Sequence, residues 1–154
     1  MLTMDKPAQG GASKDSEFNL SSLQILIVED SMSMRLLIKQ ILRGLGITQV
    51  REAPEGAAAL EMLKNFTADI IITDLKMSPI DGIEFVQMLR TAKDSPNPFC
   101  PVIMLTGHTE YENVVEARNV GVNELLAKPI SADRLLSRIK RILKNPPNIQ
   151  RDSS

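Results

Sequence analysis

The chain has 154 residues, enough for one domain with a real hydrophobic core and too few for two. Hydrophobic residues make up 43% and charged ones 24%, the balance of a globular chain and not of a disordered one. Lys+Arg 18 against Asp+Glu 19 leaves a net charge of -1, so no basic excess argues for nucleic acid, and no apolar run approaches the roughly 20 residues of a membrane span.

The opening residues lack the charged-then-apolar order of a signal peptide, and the single Cys100 has no second cysteine for a disulfide or a metal knuckle. Both observations fit a cytoplasmic protein in a reducing compartment. Residues 1–22, rich in Gly, Ser, Lys and Asp without apolar periodicity, are expected to be a flexible leader. From Leu23 onward short apolar runs alternate with helical patterns, the signal of a parallel sheet covered on both faces.

The first run, Gln24 to Val28, is followed by Glu29-Asp30 and a helix capped by Ser31 or Ser33 that runs to Gly44 or Gly46. Met34, Leu37, Ile38, Ile41, Leu42 and Leu45 fall at helical spacing and are its expected core side. A weak strand over Thr48 to Ala53 precedes a second helix, with Pro54 in its first turn and Ala58, Leu60, Met62 and Leu63 as its packing side. The third run, Asp69 to Thr73, ends at Asp74. A loop over Met77 to Gly82 leads into a helix from Ile83 to Leu89, and Ala92 to Cys100, holding Pro96 and Pro98, reads as loop. A fourth strand, Pro101 to Leu105, is closed by Thr106-Gly107. A helix from about Glu110 to Val120, a short strand from Glu124 to Ala127 and, after Lys128-Pro129, a helix from Ser131 to Leu143 complete a domain spanning 23–144. Residues 145–154 are expected to be a short flexible tail. Gly44, Gly46 and Gly121 read as helix stops, and the eight Met residues as core filler, with Met32 and Met34 able to face a partner.

In a doubly wound sheet, ligands bind in the crevice outside the carboxyl ends of the strands. Glu29 and Asp30, Asp74, Thr106 and Lys128 all fall at such ends and are expected to converge. Three carboxylates in one pocket repel one another, and their hard oxygens suit Mg²⁺. A carboxylate can also act as a nucleophile and form an aspartyl phosphate, while Lys128 and the Thr106 hydroxyl supply charge and donors for the incoming oxygens. Each residue alone has a plainer role. Glu29 and Asp30 can cap a helix, Asp74 and Thr106 can start turns, Lys128 can be a solvated lysine and His108 an exposed loop residue.

Taken together, Leu26-Ile27-Val28-Glu29-Asp30, the segment Ile72-Thr73-Asp74-Leu75-Lys76-Met77 with Asp81-Gly82 beyond it, Leu105-Thr106-Gly107 and Lys128-Pro129 resemble response-regulator receiver domains of bacterial two-component systems. The resemblance implies a flavodoxin-like α/β fold, a doubly wound five-stranded parallel sheet of order 2-1-3-4-5 with five helices. It implies that Asp74 is the phosphoacceptor, supplied by a phosphohistidine on a sensor histidine kinase or a histidine phosphotransfer protein. It also implies that Asp30, Asp74 and the Lys76 carbonyl hold Mg²⁺, with Glu29 acting partly through water, and that Thr106 and Lys128 serve catalysis and switching. Lys76 and His108 would modulate the lifetime of the phosphoryl group, and the Lys128-Pro129 bond would be cis. A downstream protein would dock on helix four, strand five and helix five. Most family members carry an aromatic residue three positions before the lysine; Leu125 stands there, so the aromatic switch is absent or altered, and Tyr111 is a poor substitute.

On this reading the chain is a stand-alone receiver that assists its own phosphorylation and dephosphorylation without being an enzyme in the ordinary sense, and it binds neither nucleic acid nor membrane. A phosphorelay intermediate or a phosphate sink would use the same site. A pseudo-receiver that works without phosphorylation would have a broken acidic set, and this set is complete. A phosphatase of the haloacid-dehalogenase type places a second Asp two residues after its nucleophile, where this chain has Lys76.

Overall fold

The computed structural model describes residues 19–107 and 113–145. Five parallel strands, β1 (Gln24–Val28), β2 (Gln49–Ala53), β3 (Ile70–Asp74), β4 (Val102–Thr106) and β5 (Glu124–Ala127), form one sheet in the order β2-β1-β3-β4-β5. The strands alternate with α1 (Met32–Gly44), α2 (Gly56–Met62), α3 (Gly82–Thr91), α4 (Asn113–Val120) and α5 (Ala132–Lys144). Among the described residues no helix is long and apolar enough to cross a membrane.

β1, β3 and β4 are continuous apolar runs because the sheet is buried on both faces there. Strand alternation divides them between two layers. Ile25, Ile27, Ile70, Ile72, Ile103 and Leu105 pack under α1 and α5, against Ile38, Leu42, Leu135 and Ile139. Leu26, Val28, Ile71, Val102 and Met104 face α2, α3 and α4, against Ala59, Phe85, Val86, Leu89 and Ala117. The edge strand β2 alternates exposed and covered residues, and its exposed Arg51 lies 4.8 Å over the Phe66 ring.

Several local expectations need correction. Leu37 is 41% exposed and Leu36 53%, because α1 centres on Ile38 and Leu42 and a neighbouring residue is turned by about 100° from that seam. Met32, at 73% exposure, is not core filler. Pro54 precedes α2 without entering it, since the Glu55 side chain caps the helix by accepting from Ala57 N. Ala59, together with Leu63, forms the fully buried seam of that region, while Ala58, Leu60 and Met62 are half-buried. Gly46 (φ 91°) and Gly121 (φ 101°) adopt the left-handed backbone of helix stops, but Gly44 is still helical. Residues 20–22, within the stretch expected to be leader, make a 3-10 turn whose Leu20 packs on the α1/α5 layer. Ser31 and Ser131 are the N-caps of α1 and α5. The expectations for residues 1–18, 108–112 and 146–154, with His108 and Tyr111 among them, lie outside the described residues.

Candidate functional site

Strand register brings the carboxyl ends to one edge: Val28 is level with Thr73, Asp74 with Leu105 and Thr106 with Ala127. The strand order reverses between β1 and β3, and the acidic residues flank that switch point.

Asp74 ends β3 with 4% of its surface exposed, and its Oδ2 accepts from Lys128 Nζ at 2.9 Å. Lys128 reaches it from an anchored backbone, since its own N–H donates to the Thr106 carbonyl at 2.8 Å. The Lys128–Pro129 peptide is cis. Thr106 is half-buried at the last position of β4. Thus Lys128 is no solvated surface lysine: its ammonium meets Asp74, and its backbone meets the Thr106 carbonyl.

Glu29 follows β1 and is 2% exposed. Its Oε2 accepts from Ser31 N at 2.9 Å, whereas its buried Oε1 has no hydrogen-bond donor. Burial, followed by the neighbouring Asp74 carboxyl, pushes the Glu29 carboxyl up to about 8, against the pull of the Ser31 N–H. A cation bound here would give the orphaned oxygen a partner and displace the proton held on this pair. Asp30 is exposed and, with Lys76, Met77, Ser78 and Asp81, lines an open depression at the mouth. Among the described residues, no three His, Cys, Asp or Glu side chains stand gathered as a ready-made metal cage. Mg²⁺ keeps several waters and accepts backbone carbonyls, so the buried Glu29 and Asp74 carboxyls fit it without an all-protein shell.

Asp81-Gly82 has a structural part in the site. Asp81 and Glu84 form a reciprocal capping box at the start of α3, each backbone N–H donating to the other's side chain at 2.8 Å. The D-x-x-E spacing was the available signal. Gly82 N donates to Leu75 O at 2.7 Å, and a Cβ at Gly82 would strike the Asp74 carbonyl oxygen. Glycine here lets α3 press against the backbone of Asp74 itself. Arg35, which no sequence motif singles out, donates to the Glu29 carbonyl.

A buried carboxylate held on an ammonium, beside an acidic partner and at the switch point of a parallel sheet, is an arrangement that fits a receiver domain. The chain belongs to the response regulator receiver domain family, whose model matches residues 25–140. It is a CheY-like receiver of two-component signalling. It is 36% identical over 121 residues to the chemotaxis protein CheY-3 of Vibrio cholerae, covering 79% of this chain and 92% of that one. With the chemotaxis protein CheY of Pseudomonas aeruginosa it shares 37% identity over 120 residues, 78% of this chain and 95% of the relative. The crystal structure of CheY4 from Vibrio cholerae superposes with a TM-score of 0.70 at 33% identity, covering 78% of this chain and 98% of that one. The family is generally one of non-enzymatic switches.

Proposed function

We propose that Asp74 accepts a phosphoryl group from a phosphohistidine on a sensor histidine kinase or a histidine phosphotransfer protein, and that the modified domain switches its protein contacts. The observation that carries this reading is the Asp74–Lys128 pair, sealed at the strand ends beside Glu29 and its donorless oxygen. Asp30, Asp74 and the Lys76 carbonyl, with Glu29 partly through water, would hold Mg²⁺. When bound, the ion supplies positive charge to the oxygens of the transferred group.

In the transfer, a carboxylate oxygen of Asp74 attacks phosphorus, the P–N bond to the donor imidazole breaks, and its electron pair stays on the imidazole nitrogen. Lys128, already on one Asp74 oxygen, holds the negative charge that arrives with the phosphoryl group, and the Thr106 hydroxyl donates to a phosphoryl oxygen. Lys76, at the mouth, and His108 modulate access of water and hence lifetime.

The acyl phosphate adds up to about two negative charges and new acceptors where a single carboxylate stood. Thr106 is drawn toward them, and the chain beyond it carries the change toward α4. Leu125 is half-buried against the α2–α3–α4 layer, and its carbonyl accepts from Arg138 Nε at 3.0 Å. An aliphatic side chain has no ring to swing inward, so the output surface of α4, β5 and α5 responds through Thr106. Exposed Met32, Leu36 and Leu37 on α1, beside the acidic turn, form an apolar surface on which the phosphodonor docks.

The test is intact mass after incubation with acetyl phosphate, with and without Mg²⁺. A Mg²⁺-dependent gain of one phosphoryl group is expected. No gain, under conditions that modify another receiver in parallel, contradicts the reading.

A further inference from the structure

We propose that Arg35 is a positioning residue for the acidic turn, fixing the direction in which Glu29 and Asp30 present their carboxylates to the divalent cation; this rests on the metal reading given above.

Glu29 is the first residue beyond β1. Its N–H makes a last bond to Ala53 O at 3.0 Å, whereas its carbonyl is taken by a side chain. Arg35, one turn into α1, supplies it: Nη1 donates to Glu29 O at 2.8 Å, while Nε donates to Glu52 Oε1 at 3.0 Å. The Arg35 side chain is 15% exposed, so this is a sheltered contact and not a surface pair. Lys39 holds the other oxygen of Glu52 at 2.7 Å, which keeps the carboxylate in place for Arg35.

The peptide joining Glu29 to Asp30 sets where both side chains leave the chain. Glu29 is tied to β2 through its N–H and to Ser31 N through its Oε2, while the Glu29–Asp30 peptide itself is held through its carbonyl by Arg35. The planar guanidinium spans Glu29 and Glu52 at once, whereas a lysine is a point donor and can serve only one of them at full strength. Groups that orient metal ligands without touching the metal typically change affinity by about 10–100-fold when removed.

Lys39 supplies the control. It lies on the same helix and pairs with the same Glu52, but its ammonium bonds Glu52 and not the Glu29 carbonyl. Mg²⁺ binding is measured by calorimetry on the metal-free full chain, for wild type, Arg35→Met, Arg35→Lys and Lys39→Met. Both methionine variants lose a tie between α1 and β2 and are expected to melt at similar, lower temperatures. Only Arg35→Met is expected to weaken Mg²⁺ binding, by about tenfold or more. Arg35→Lys, which keeps the charge and one donor, falls between it and the wild type. Wild-type affinity in the folded Arg35 variants overturns the proposal, and so does an equal loss in Lys39→Met, which assigns the effect to the α1–β2 tie. A wild-type chain that binds no Mg²⁺ overturns the metal reading and the proposal with it.

Discussion

Lys128 Nζ stands 2.9 Å from Asp74 Oδ2 although the two residues are 54 apart in sequence. The pair spans β3 to the end of β5, with Thr106 between them holding the Lys128 backbone. Asp74, the proposed phosphoacceptor, is therefore held by an ion pair that an incoming phosphoryl group would loosen.

Removing either partner has opposite consequences for the metal-free protein. Lys128→Ala leaves a buried carboxylate facing Glu29 with no cation, and it is expected to cost about 1–3 kcal/mol, less than a fully buried pair because the Lys128 side chain is 29% exposed. Asp74→Asn removes the like charge beside Glu29 and is expected to raise stability. Urea denaturation in the presence of a chelator reads both signs.

Glu29 gives the metal-free domain a distinctive pH dependence. Its folded-state carboxyl, near 8, keeps its proton where the unfolded one, at 4.5, has lost it. Between these values the folded state binds more protons, so the Glu29 contribution to stability falls as pH rises from about 4.5 to about 8, then levels off. Glu29→Gln is expected to flatten the melting temperature over that window. Mg²⁺ competes with the same proton, so its affinity in the wild type is expected to climb across the window, as calorimetry at several pH values would show.

Gly82→Ala drives a methyl group into the Asp74 carbonyl oxygen and the Leu75 backbone, neither of which can swing aside. A cost of about 1–3 kcal/mol and slower phosphorylation are expected together. Gly46→Ala is the comparison: it meets open space at a φ of 91°, so it loses stability through backbone strain while its phosphorylation rate stays at the wild-type value.

Arg90 secures the opposite end of the sheet. It donates to the carbonyls of Pro98 (3.0 Å), Cys100 (2.6 Å) and Gly121 (2.7 Å) and to Asn123 Oδ1 (3.0 Å), joining the approaches to β4 and β5. Arg90→Ala strands those acceptors and is expected to cost about 3 kcal/mol or more, measured by urea denaturation. Phosphorylation of the variant, assayed where it remains folded, is expected to be unimpaired.

The central strands were legible because burial on both faces writes them as unbroken apolar runs such as Ile70-Ile71-Ile72, and the site because its polar residues punctuate the ends of those runs. Helix faces were less so. Leu37 has the same hydrophobicity as Leu42, and only the seat of α1 on the sheet decides which is covered. Pro54 and Glu55 both suit a helix start, and the choice fell to a side-chain cap that composition cannot rank. Arg35 and Gly82 were missed for a related reason: each acts on another residue's backbone, and a carbonyl taken by a side chain, or a helix pressed on a peptide, has no letter in the sequence.

The most direct measurement traps the acyl phosphate chemically. The chain is phosphorylated with acetyl phosphate and Mg²⁺ and reduced with borohydride, which converts a phosphorylated aspartate to homoserine, and the modified residue is then located by peptide mass mapping. Homoserine at position 74, absent when Mg²⁺ is withheld, is the expected result. Homoserine at Asp30 or Asp81, or at no position in a chain shown to be folded, would contradict the assignment of Asp74 as the phosphoacceptor.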